Sequence, residues 1–175
     1  VDPLRISDTL ASRIAQTTEQ SLGWRLVTLE DSINTWLSAP ILFMQNINCI
    51  PDDITKLQTY LDKGGLIVIL SDGKSIRKWG AIADAICPDM PSRKVDTSHW
   101  SLSLLIRATG TQVMTWGDSI RDRIFLIRGS PKDLVAREKS KLSNVLINIC
   151  CGAAELDAWH PRLRIAPEPT NGTLV

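Results

Sequence analysis

With 175 residues, 43% of them hydrophobic and 22% charged, the chain can bury one substantial core and is too short for two comfortable ones. A net charge of +1 supplies no basic face for nucleic acid or an anionic membrane surface, and the densest cationic stretches, 137–141 and 120–123, are interleaved with acids and read as solvated faces. No apolar run approaches the ~20 residues of a membrane span.

The chain opens with Val1 rather than Met, which reads as a trimmed or processed product whose flanking segments would not be visible. Residues 6–24 follow a Ser7 or Asp8 cap candidate with apolar Leu10 and Ile14, supported more weakly by Ala11 and Ala15, and stop at Gly23; this predicts an amphipathic helix. Two β-type runs follow, 24–29 and 40–45, the second continuously apolar as in a strand covered on both faces. The clearest helix starts at Pro51, carries Asp52 and Asp53 at its positive end, turns Ile54, Leu57, Tyr60 and Leu61 to one side, and ends at Gly64.

Residues 66–70, Leu-Ile-Val-Ile-Leu, read as a buried strand. A helix from Ser75 to Pro88 then places Ile76, Trp79, Ile82, Ala83 and Ile86 inward. The pattern loosens over 89–110, with one short helix near 101–107, before strands at 112–117 and 122–129. Ser130 and Pro131 open another helix, and 141–159 is apolar nearly all round, as in a buried helix. Residues 161–165 read as an edge strand and 166–175 as a loose tail. Alternating strands and helices predict an α/β fold whose mainly parallel sheet is covered on both faces, one domain over 1–165.

The order of these motifs, from Leu-Ala-Ser-Arg-Ile (10–14) through the run 39–72 to a later histidine, an Arg-x-Ile strand and a buried helix carrying Asn148, resembles the bacterial family known as domain of unknown function 4159. That family is similar to the class I glutamine amidotransferase-like domains. The resemblance spans about Leu4 to Leu163 and implies a flavodoxin-like three-layer sandwich. It implies recurrent polar positions at Asp133 and Asn148, and a bacterial, envelope-associated larger protein as the setting, with a cytoplasmic one left open. Where the family has acidic residues after the strand, this chain has Ser71 and Asp72; where it has a histidine followed by proline, this chain has His99 followed by Trp100.

Ligands of doubly wound sheets sit beyond the carboxyl ends of the strands, here 45–48, Ser71–Asp72–Gly73 and Arg128–Gly129–Ser130. Amidotransferase-like enzymes carry a nucleophilic cysteine at the second of these, because a thiolate forms readily beside a histidine and a helix N-terminus. This chain has none there: Cys49 and Cys87 follow other elements, and Cys150 and Cys151 fall in the buried helix as free thiols. Ser71 could stand in only with a general base such as His99 within hydrogen-bond reach, and no G-x-S-x-G elbow surrounds it.

An anion cradle at 72–75 lacks any phosphate-loop pattern, and helix capping by Ser71 or Asp72 is the commoner use of such residues. Two histidines (His99, His160) with scattered carboxylates (Asp72, Asp96, Asp133) make a poor metal set. No metal or cofactor is therefore expected. Asn148, an amide between Ile147 and Ile149, must find partners if buried, which predicts a tie to a strand-tip loop. Six tryptophans spread along the chain read as packing.

The resulting expectation is a non-catalytic, degenerate amidotransferase-like module for ligand binding or protein interaction within a larger protein. Its ligand positions would be Asn46, Asp72, Gly73, His99, Ser130 and Asn148. The alternative is a hydrolase using Ser71 or Asp72 with His99. Partners other than neighbouring domains are not readable.

Overall fold

The apolar run after Gly65 lies at the middle of the structure, where a strand with no polar face has to be. The computed structural model describes residues 3–18, 23–28, 30–45, 54–118, 120–136 and 141–164, with side chains in the last helix described as far as Ala153. In chain order these form α1 (Pro3–Thr18), α2 (Ile33–Trp36), β1 (Ile41–Gln45), α3 (Ile54–Asp62), β2 (Leu66–Ser71) and α4 (Ile76–Ile86). They continue as β3 (Ser92–Lys94), α5 (Trp100–Ser103), β4 (Val113–Gly117), β5 (Asp122–Arg128), α6 (Pro131–Ala136) and α7 (Lys141–Arg164).

The five strands make one mixed sheet in the order β1-β2-β5-β4-β3. Its heart is parallel: β1 pairs with β2 and β2 with β5 in that sense. The half beyond β5 is antiparallel, β4 against β5 and β3 against β4. Chain length explains the change. Only residues 118–121 separate β4 from β5, and a parallel neighbour needs a crossover of about a dozen residues or more. Asp118 closes this turn: its carboxylate accepts from the Ile120 and Arg121 N–H groups, and its own N–H donates to the Arg121 carbonyl.

Alternate residues of the central strands feed two cores. Ile67, Ile69, Ile124 and Leu126 meet Leu57, Tyr60 and Leu61 of α3 and Trp79, Ile82, Ala83 and Ile86 of α4. On the other side, Val68, Leu70, Phe125 and Ile127 meet Leu10 and Ile14 of α1, Leu134 of α6 and Val145, Leu146 and Ile149 of α7. Gly64, at φ 99°, turns the chain from α3 into β2 as the sequence predicted. Cys87 and Cys150 are buried, and burial pushes their thiols up to about 11 and about 12, so neither supplies a thiolate near neutral pH.

Several elements depart from expectation. Helix α1 begins at Pro3, so Ser7 and Asp8 lie inside it rather than capping it. Residues 24–28 form no ladder; side chains anchor the segment instead, with Trp24 Nε1 donating to Asp8 and Trp36 Nε1 to the Thr28 carbonyl. Helix α2, capped by Ser32 on the Thr35 N–H, stands where no element was predicted. Strand β3 is three exposed polar residues with no apolar signal to announce it. Residues 161–164 continue α7 instead of forming an edge strand. The predicted start of α3 at Pro51–Asp53, Cys49 and the tail 166–175 lie outside the described residues. No helix among the described residues is long and apolar enough to cross a membrane.

Candidate ligand-binding cleft

The connections leaving β2 and β5 depart to opposite faces of the sheet, β2 into α4 and β5 into α6, although the two strands are parallel neighbours. At such a divergence no helix covers the strand ends, and a crevice forms. An open cleft of about 530 Å³ occupies this place, lined by Asp72, Gly73, Gly110, Gln112, Arg128, Gly129, Ser130 and Asp133. Its size is that of small-molecule sites, which run from roughly 300 to 1,000 Å³.

Three of the residues expected to bind a ligand, Asp72, Gly73 and Ser130, therefore converge. Both tips are held by side-chain-to-backbone hydrogen bonds. The Asp72 carboxylate accepts the Ser75 N–H at 2.9 Å, and this bond with a second from the Ser75 side chain holds its carboxyl below the usual range. Ser130 Oγ accepts the Lys132 N–H at 3.3 Å while Asp133 reaches back to the Ser130 N–H at 3.2 Å, a reciprocal cap opening α6. Gly129 N–H donates to the Ser71 carbonyl and ties the two tips together. Across the cleft, Arg128 Nη1 donates to Gln112 Oε1 at 3.0 Å, and the Arg128 N–H donates to the Gln112 carbonyl at 3.0 Å.

Ser71 ends β2 but does not line the cleft; it is 1% exposed, and its hydroxyl donates to the Asp72 carbonyl. His99 is not its neighbour. Its Nε2 lies 3.1 Å from Asp122, the first residue of β5, whereas Ser71 pairs with Arg128, the last. Those two ends are ~20 Å apart at the rise of a strand. The geometry required for a Ser71–His99 or Asp72–His99 pair is thus not present.

At that other end a β-bulge decides the arrangement. The register shifts between Trp116 and Gly117, so Ile124 opposes Trp116 while Asp122 opposes Gly117. Ile124 keeps its side of the sheet, and Asp122 is re-aimed to the side of Thr115 and Phe125. There its buried carboxylate receives Arg93 at 2.7 Å, Thr115 Oγ1 at 2.9 Å, Trp100 Nε1 at 3.0 Å and His99 Nε2. Burial alone would raise this carboxyl, but hydrogen bonds from His99, Arg93 and Thr115 outweigh it and hold the group well below the usual carboxylate range.

His99 Nδ1 accepts the Ser101 N–H at 3.3 Å and lies 2.9 Å from Ser101 Oγ, which places the ring proton on Nε2, toward Asp122. Serine, histidine and aspartate therefore stand in a row, yet Ser101 is 0% exposed and no substrate carbonyl can reach it. His99 is the N-cap of α5. The row braces the 93–103 segment against β5, with the His99 and Trp100 rings packed on Phe125.

Asn148, 0% exposed, is a structural tie as expected, but to residues 101–106 and not to a strand-tip loop. Its Oδ1 accepts from the Leu105 and Ile106 N–H groups at 3.0 Å each, and its Nδ2 donates to the Ser101 and Ile106 carbonyls. It fastens α7 to the long connection and does not border the cleft. Asn46 lies outside the described residues, as does the side chain of His160 in α7. Among the described residues no three His, Cys, Asp or Glu side chains converge as metal ligands.

Sequence reasoning named Arg128 only as a strand tip and passed over Gln112 and Gly110. The available signal for Arg128 was its place at the carboxyl end of the strongest late strand. Gln112 and Gly110 had none, since only the antiparallel return of β4 carries them to the same edge. Compared with known proteins, the chain matches no family model and no curated protein.

Proposed function

We propose that the chain is an amidotransferase-like domain of flavodoxin type that binds a small molecule without transforming it, one module of a larger bacterial protein. The observation carrying this reading is the cleft between the tips of β2 and β5, where their outgoing connections diverge. Two features support binding rather than turnover. The residue at the nucleophile position, Ser71, is buried with its hydroxyl given to a neighbouring carbonyl, and the histidine that would activate it is bound to Asp122 at the far end of β5.

Two measurements test the proposal. Thermal-shift screening against a library of small metabolites should yield ligands whose stabilisation is lost in Gln112→Trp, which fills the cleft from an exposed wall position. A broad amidase and esterase panel should stay at background. Turnover by the wild type that disappears in Ser71→Ala, Asp72→Asn or His99→Ala would overturn the non-catalytic reading.

A further inference from the structure

Resting on the reading of the β2/β5 cleft as a ligand site, we infer that the group it grips is an oxyanion, a carboxylate or a phosphate on a small molecule, held by Arg128 and Lys141. Each cation is packed against a glycine of the cleft wall. Arg128 Nη2 and Nε lie 2.8 and 3.1 Å from where a Cβ of Gly73 would stand. Lys141 Nζ lies 2.9 Å from the corresponding position of Gly110, whose φ of +77° is one that side chains rarely adopt. Bare backbone at both points lets the head groups approach the cleft.

The ionic partners are distributed unevenly. Among the described residues neither Arg128 nor Lys141 has a carboxylate within ion-pair distance. The two acids of the cleft are already committed, Asp72 to the Ser75 N–H and Asp133 to the Ser130 N–H, and both bonds build the loops that shape the site. Gln112 spends its side-chain carbonyl oxygen on Arg128 Nη1, which fixes the guanidinium and leaves the amide's N–H groups as further donors. Ser130 Oγ accepts from Lys132 and keeps its own proton to donate. The Asp72 and Asp133 carboxylates each keep further acceptor sites, but Arg128, Lys141, Gln112 and Ser130 also hold unspent donors, and a planar fork of guanidinium donors suits carboxylate and phosphate oxygens.

The test is an NMR titration of the full chain, following the Gly73, Gly110 and Gly129 amide signals. Inorganic phosphate and succinate serve as separate probes, and sodium chloride at matched ionic strength is the control. Saturable shifts at these glycines with phosphate, succinate or both are expected. The probe that binds more tightly identifies the source of the oxyanion. Arg128→Gln should weaken binding at least tenfold and Lys141→Gln severalfold, both at exposed positions where folding is checked by the unchanged spectrum elsewhere. Shifts no larger than those of chloride, or shifts that survive Arg128→Gln, overturn the inference. Neutral or cationic library hits that Gln112→Trp abolishes and Arg128→Gln leaves intact would also overturn it while upholding the cleft as a ligand site.

Discussion

Asp122 organises the far end of β5, because four donors meet one buried carboxylate. Asp122→Asn leaves Arg93 and His99 facing a neutral amide and should cost about 3 kcal/mol in urea denaturation at neutral pH. A carboxyl depressed by folding contributes its full stabilisation above the unfolded value of about 3.9. That contribution is lost as pH falls from there toward the folded value. Wild-type stability should therefore decline below about pH 4, and Asp122→Asn should decline less over the same range; parallel curves would refute the role. Asn148→Ala removes the partners of two N–H groups and two carbonyls, the Ser101 carbonyl buried and the others part-buried, and should cost about 2–3 kcal/mol. Asn148 was readable from its apolar neighbours. Asp122 was not, since a bulge in strand pairing decides which way it points.

At the scale of elements, the β4–β5 hairpin sets both ends of the molecule. Its bulge aims Asp122, and its return brings Gln112 beside Arg128. A Cβ on Gly117 would stand 2.2 Å from the Arg121 carbonyl oxygen, a backbone atom that cannot swing aside. Gly117→Ala should destabilise by about 2 kcal/mol. Gly80 on α4 has nothing within 4 Å of its Cβ position, so Gly80→Ala should stabilise by about 0.5–1 kcal/mol through helix propensity. Equal effects of the two substitutions in urea titrations would remove the steric argument. The longer helices α1, α3, α4 and α7 were legible because their apolar residues recur locally, whereas the four-residue α2 was not. Segment 24–28 was misread because a β-type composition does not supply a partner strand.

Across the whole molecule, β2 and β5 face both cores at once. Neither core can open without exposing the sheet shared with the other, so unfolding should be a single cooperative transition. Phe125→Ala on one face and Leu126→Ala on the other should each lower the same midpoint by about 3–4 kcal/mol in equivalent stability. Separate transitions detected by near- and far-ultraviolet circular dichroism would show that the cores are independent. Amides of β2 and β5 should exchange most slowly of all.

Sequence alone determined the α/β class, the buried strand at 66–70, the strand read at 122–129, the α4 and α7 helices and the turn at Ser71–Asp72–Gly73, because each rests on periodicity or on residues adjacent in the chain. The N-cap of α4, however, is Ser75 and not Ser71 or Asp72. Tertiary structure alone decided what stands together. Antiparallel pairing of β4 brought Gln112 to Arg128, and the bulge aimed Asp122 at His99, at the opposite end of β5 from Ser71. The pairing of β2 with β1 and β5 joins segments far apart in sequence, whereas the β4–β5 register comes from a short turn and a bulge that no hydrophobic period announces.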